Sequence, residues 1–180
     1  MGQEHKQDTR AAFEGEIGIL ARRRIEAGII APIYEEMRSR LGIAMAQSIL
    51  DAAIRKAATE AGRSFAEKTP GGTSLRTFEE LQELWTQDDA LVVEVVKATD
   101  EEYVYNVKRC RYAEMYREMG LGEIGHLLSC NRDFVFPTGY NANIKLERTK
   151  TLMEGSSCCD FHYRFEEPAA KDGAAKDGKA

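Results

Sequence analysis

Leu91-Val92-Val93-Glu94-Val95-Val96, the link Ala98-Thr99-Asp100-Glu101, and Glu102-Tyr103-Val104-Tyr105-Asn106-Val107-Lys108-Arg109-Cys110 form the stretch where the hydrophobic period changes from helical to extended. Both runs are short, β-branched or aromatic, and separated by turn-forming residues, which reads as a β-hairpin. Everything before it reads as helix. Ile17, Leu20, Ile25, Ile29, Ile33, Met37 and Leu41 recur at three- to five-residue intervals with arginines and glutamates between them. Pro32 lacks a backbone donor and crowds the preceding turn, so a break or kink is expected near Gly28 to Pro32. A second, alanine-rich helix is expected from about Ile43 to Glu67, ending before the loop Thr69-Pro70-Gly71-Gly72. Thr77 followed by Glu80 has the spacing of a capping box, which would open a short helix through Trp85.

Beyond the hairpin, helical spacing returns from Arg111 to Leu128, interrupted at Gly120 to Gly122. Two further strands are expected at Ile144 to Leu152 and Cys158 to Phe165, joined by a turn at Glu154-Gly155-Ser156-Ser157. The expected fold class is α+β, an N-terminal helical layer packed on a C-terminal antiparallel sheet with a helical insertion. Residues 1–168 are read as one domain, with a helical part over 1–68 and a sheet-containing part over 76–168. Residues 169–180, where Ala-Lys-Asp-Gly is repeated, are read as a disordered tail.

The chain has 180 residues, 43% hydrophobic and 31% charged, which suits one globular domain. No apolar run approaches the roughly 20 residues that span a bilayer, and the first ten residues lack a secretory pattern, so a cytoplasmic address is expected. The net charge of −5 and scattered basic residues, clustered only at Arg22, Arg23 and Arg24, argue against a nucleic-acid partner. Four cysteines without an export signal read as free thiols, ligands or a nucleophile.

Chemistry-bearing residues concentrate between Cys110 and Arg164. Cys130 and Asp133 stand three apart and share a face if a helix runs through them, so a thiol nucleophile or ligand would sit beside a carboxylate base. Their plain structural alternative is a buried small apolar residue and a helix-end carboxylate. Strand alternation puts Arg148 on the face of Ile144 and Leu146, where a cation needs an anionic partner. That partner is either a substrate carboxylate held by the guanidinium fork or an internal carboxylate, Asp133 or Asp160. Along Cys158 to Phe165, Cys159, Phe161, Tyr163 and Phe165 would face the core, and Asp160, His162 and Arg164 the other side. His162 and Asp160 make either an oriented base or a solvated pair. The sequence lacks CxxC and HExxH pairs, a Walker loop and GxSxG. No metal site is committed to, although Cys110, Cys130 and Cys159 could assemble one from a distance.

Cys110-Arg111-Tyr112, Leu121-Gly122-Glu123-Ile124-Gly125, Cys130-Asn131-Arg132-Asp133, Leu146-Glu147-Arg148-Thr149-Lys150-Thr151-Leu152-Met153-Glu154-Gly155 and Cys159-Asp160-Phe161-His162-Tyr163 follow one another in a recognisable order. Over about residues 80 to 166 the chain resembles the L-2-amino-thiazoline-4-carboxylic acid hydrolase family. The resemblance implies a hydrolase that opens a cyclic amidine ring, converting L-2-amino-thiazoline-4-carboxylate to S-carbamoyl-L-cysteine on the way to L-cysteine. It places the family's motif cysteines and aspartates on Cys110, Cys130, Asp133, Cys159 and Asp160, and its Arg-Thr pair on Arg148 and Thr149. The catalytic candidates are Cys130, Asp133, Cys159 and Asp160, and the substrate-binding candidates Arg148, Thr149 and His126. In the expected mechanism Arg148 holds the substrate carboxylate, Cys130 attacks as a thiolate, and Asp133 moves the proton. A divalent metal on Cys110, Cys130 and Cys159 is the variant, and a cysteine-lined small-molecule-binding or sensory domain is the rival. The expected partner is a small carboxylate, with neither nucleic acid nor membrane involved and a homo-oligomer left open.

Overall fold

A computed structural model describes residues 17–166. The tail expected over 169–180 and the extreme N-terminus lie outside the described residues. Two long helices come first, α1 (Ile19–Leu41) and α2 (Ile43–Lys68), followed by short helices α3 (Leu75–Leu81) and α4 (Glu83–Thr86). The hairpin β1 (Leu91–Ala98) and β2 (Glu102–Cys110) follows, then α5 (Arg111–Glu118), a π-turn at His126–Cys130 and α6 (Arg132–Tyr140). Strands β3 (Ile144–Glu147) and β4 (Cys159–Phe165) close the sheet in the order β1-β2-β4-β3, every pairing antiparallel. This is the expected α+β arrangement, with α5, the π-turn and α6 as the helical insertion.

The expected break at Gly28 to Pro32 does not occur. α1 runs through Pro32, which lies on its exposed side, where water can satisfy the Gly28 carbonyl deprived of its usual donor. The chain breaks instead at Gly42, whose φ of +80° a side chain would resist. The cap expected at Thr77 and Glu80 also moves. Ser74 is the N-cap, with its Oγ accepting from the Thr77 N–H at 3.1 Å while Thr77 Oγ1 accepts from the Ser74 N–H at 2.9 Å. β3 stops at Glu147 rather than Leu152, because Asp160 takes the backbone N–H groups of Thr149 and Lys150 just beyond it.

One face of the sheet is apolar by simple alternation. Tyr103, Tyr105 and Val107 of β2 and Cys159, Phe161 and Tyr163 of β4 are all buried. The register sets Tyr105 opposite Phe161, with rings stacked at 4.8 Å. Helices α3 and α6 cover this face through Phe78, Phe136 and Tyr140. A second cluster joins α1, α2 and α5 through Tyr34, Leu50, Ile54, Tyr112 and Tyr116, and Ile19, Trp85, Leu91 and Cys110 pack against both clusters.

α2 and α6 meet through glycine. A Cβ on Gly62 would stand 2.2 Å from the Phe136 carbonyl oxygen, and one on Gly139 would stand 2.1 Å from that of Thr59. The sheet edges are irregular or short. β1 slips register between Val92 and Val93 and again between Val95 and Lys97, and β3 has four residues. No helix among the described residues is long and apolar enough to cross a membrane.

Candidate functional site

Where the two clusters meet, the side chains leave a cavity of about 80 Å³. That is several times the roughly 10–15 Å³ one water needs, so it suits a ring-sized molecule and not a peptide. Trp85, Tyr105, Phe136, Phe161 and Tyr163 supply an aromatic wall. The polar end is made by Cys130, Asp133, Arg132, Arg148 and Arg23, with Cys110 and Cys159 on the sheet side.

The π-turn sets up this end. The Asn131 N–H reaches back to the His126 carbonyl at 2.9 Å, a spacing of five residues, and one residue later α6 begins. Cys130 closes the π-turn and Asp133 lies in the first turn of α6, so both line the cavity. Arg148, just past the end of β3, continues the inward alternation of Ile144 and Leu146, and its side chain is only 5% exposed. Arg148 Nη1 donates to Asp133 Oδ2 at 2.5 Å and Nη2 to the Cys130 carbonyl at 3.1 Å, while the guanidinium lies between the rings of Phe134 and Phe161. Of the two partners weighed from sequence, the internal carboxylate Asp133 is the one in contact.

The Asp133 side chain keeps 30% exposure because it faces the cavity. Burial pushes its carboxyl above the ordinary aspartate value, opposed by the Arg148 charge and hydrogen bond. Burial pushes the Cys130 thiol up to about 12, with the Asp133 charge adding to it and the Thr151 hydroxyl, 3.5 Å away, working against it. Cys110 is raised by burial to about 11, and Cys159 is raised as well, its sulfur accepting from the Leu152 N–H at 3.2 Å. At neutral pH Cys130 is therefore a protonated thiol, whereas the mechanism expected from sequence needs a thiolate.

These shifts carry a stability consequence with a definite sign. Cys110 and Cys130 hold their protons in the native state up to about 11 and 12, against 9.0 for an unperturbed thiol. Their contribution is thus complete below pH 9 and is lost as the pH rises through those values. The melting temperature should fall steeply in that range, and Cys130→Ala should flatten part of the fall; an unchanged slope would show that Cys130 is not the titrating group.

Asp160, His126 and Thr149 are not among the residues lining the cavity. Asp160, on the opposite face of β4 from Cys159, accepts from the Thr149 and Lys150 N–H groups at 2.9 and 2.6 Å and from the Thr149 hydroxyl at 2.5 Å. Burial would raise its carboxyl, but the bonds from Thr149 and Lys150 prevail and hold it below the ordinary value. His162 pairs with Glu102 at 2.9 Å, not with Asp160. Cys110, Cys130 and Cys159 line one cavity, yet among the described residues no group of three or more His, Cys, Asp or Glu side chains could hold a metal ion.

Sequence reasoning missed two arginines of the cavity lining. Arg23 on α1 and Arg132 on α6 both reach Glu26: Arg23 Nη1 at 2.8 and 2.9 Å, and Arg132 Nη2 at 3.1 Å. Their only sequence signals were the run Arg22 to Arg24 and a cation lodged between Cys130 and Asp133.

The model of the family described as L-2-amino-thiazoline-4-carboxylic acid hydrolase matches residues 22–163 of this chain. No curated protein matches it. Among solved structures, the phenol-responsive sensory domain of the transcription activator PoxR, determined with phenol, is similar at 11% identity and a TM-score of 0.50, covering 76% of this chain and 73% of that one. A trafficking protein particle complex subunit 3 from Naegleria fowleri, covalently bound to palmitic acid, is similar at 14% identity and a TM-score of 0.46, covering 82% of this chain and 96% of that one. At this identity the likeness to the sensory domain is one of fold.

Proposed function

Because this chain belongs to the L-2-amino-thiazoline-4-carboxylic acid hydrolase family, we propose that it hydrolyses a small cyclic amidine, with L-2-amino-thiazoline-4-carboxylate as its substrate and S-carbamoyl-L-cysteine as its product. The observation that carries the reading is a ring-sized cavity whose polar end holds a carboxyl of raised proton affinity against a buried guanidinium.

Hydrolysis needs a water oxygen bonded to the amidine carbon, a broken bond between that carbon and the ring nitrogen, and a proton on the departing nitrogen. Asp133 suits both proton transfers: as carboxylate it takes a proton from the attacking water, and as acid it returns one to the ring nitrogen. Arg148 orients Asp133 and keeps the carboxylate form available. Asp160, through Thr149 and Lys150, fixes the segment that follows Arg148 and is a positioning residue in this scheme. The protonated Cys130 thiol favours attack by water over attack by sulfur.

A second reading, a ligand-binding sensory domain, is supported by the fold shared with the phenol-responsive domain. Mass-spectrometric turnover of L-2-amino-thiazoline-4-carboxylate, with and without EDTA, decides between them. Wild type should form S-carbamoyl-L-cysteine, and Cys130→Ala should retain that activity within about tenfold. Abolished turnover in a folded Cys130→Ala would restore the thiol as nucleophile, and binding without product by wild type would favour the sensory reading.

A further inference from the structure

We infer that Arg23 and Arg132 form a binding subsite for the carboxylate of a ring-sized organic acid, at the junction between the inner cavity and an outer cleft. The charges at the polar end do not cancel. Arg23, Arg132 and Arg148 are three guanidiniums, and Glu26 and Asp133 are the two carboxylates that face them. Asp133 is hydrogen-bonded to Arg148 and acts on Arg23 and Arg132 only through space, so among the described residues Glu26 is the one carboxylate hydrogen-bonded to Arg23 and Arg132, whose side chains are only 13% and 11% exposed. A buried positive charge without its own counterion is costly, and an anion placed beside it removes the cost. Tyr112 and Tyr116 add no negative charge near neutral pH, since burial raises both hydroxyls.

The donors needed for an anion are also present. Arg132 spends Nε on the Leu128 carbonyl at 2.7 Å and Nη2 on Glu26, and Arg23 spends Nη1 on Glu26. Arg132 Nη1 and Arg23 Nε and Nη2 have no protein acceptor among the described residues. Every fully buried side-chain nitrogen in the described residues does have one, so these three groups open onto accessible space. Both arginines line the inner cavity, and both also line a cleft of about 280 Å³ between α1 and α2. Glu26 holds the two guanidiniums together and is a positioning residue. An acid whose carboxylate sits on the arginine pair would have Phe136 and Trp85, which also line both spaces, beside its ring.

This assignment rests on the proposed hydrolase only for the identity of the ring, so its test uses ligands that cannot be hydrolysed. Calorimetry with thiazole-4-carboxylate and its neutral carboxamide compares wild type, Arg23→Gln, Arg132→Gln and Arg132→Lys. Wild type should prefer the carboxylate by about 10- to 100-fold, Arg23→Gln and Arg132→Gln should lose that preference, and Arg132→Lys should regain part of it. Arg23→Gln leaves the Leu128 contact intact, so it decides the question if Arg132→Gln fails to fold. Equal binding of the two compounds by wild type, no binding of either, or a preference that survives in Arg23→Gln would overturn the subsite. A carboxylate preference without thiazoline turnover would instead sink the hydrolase and keep the subsite, and turnover without the preference would do the opposite.

Discussion

Asp133→Asn is expected to lower thiazoline turnover by roughly 100- to 10,000-fold, the range set by removing a positioned acid–base group. Asparagine keeps the shape but neither takes nor returns a proton. The wild-type rate should fall as the pH drops through the raised Asp133 value, because the base is then protonated, and the variant's residual rate should lose that limb. The same change leaves Arg148, 5% exposed, with the Cys130 carbonyl and two aromatic faces but no counterion. Breaking a buried pair from one side costs about 3–5 kcal/mol. Chemical denaturation should register that loss, and adding Arg148→Met should recover much of it while activity stays lost. A double variant as unstable as Asp133→Asn alone would mean that the cost is not the orphaned charge. Undiminished turnover in Asp133→Asn would remove Asp133 from the chemistry.

Gly139→Ala should be more damaging to the fold than any single change on the outer surface. The new methyl would lie 2.1 Å from the Thr59 carbonyl oxygen, and in Gly62→Ala it would lie 2.2 Å from that of Phe136. Both obstacles are helix backbone, which cannot step aside as a side-chain end can, so α2 and α6 must separate. Overpacking of well-filled contacts costs about 1–3 kcal/mol and occasionally more, and a clash with backbone belongs at or beyond the upper end. Gly28→Ala is the control: its methyl meets nothing within 4 Å, and alanine favours helix by about 1 kcal/mol. Urea midpoints should therefore move in opposite directions for Gly139→Ala and Gly28→Ala; a mild effect at Gly139 would contradict the close approach of the two helices.

How much of this was legible in the sequence follows from the range of the interactions involved. The change of period at Leu91 located the hairpin, and alternation in Cys159 to Phe165 separated the cavity-facing side from the other, since both signals are local. Alternation also marked Arg148 as an inward cation with Asp133 among its partners, though only the fold selects Asp133 over Asp160. Pro32 misled because its cost depends on which face of α1 it occupies, which periodicity with isoleucines all round did not reveal. The π-turn at His126–Cys130 has no sequence signature, since one additional residue per turn leaves composition unchanged. Arg23 and Arg132 carry no local signal for a different reason: what links them is Glu26, and Arg132 is 106 residues away from it along the chain.

The outline of the sheet bears on how the protein behaves when concentrated. A four-stranded sheet has two outer strands whose unused backbone groups could recruit a strand from another molecule and seed aggregates. β1 carries the exposed valines Val92, Val95 and Val96 that would make such recruitment favourable, yet its two register slips leave no straight run of donors and acceptors. The other edge, β3, is too short to template much. The irregular hairpin thus acts as a colloidal safeguard, and a redesign that regularised β1 for stability would trade solubility for it.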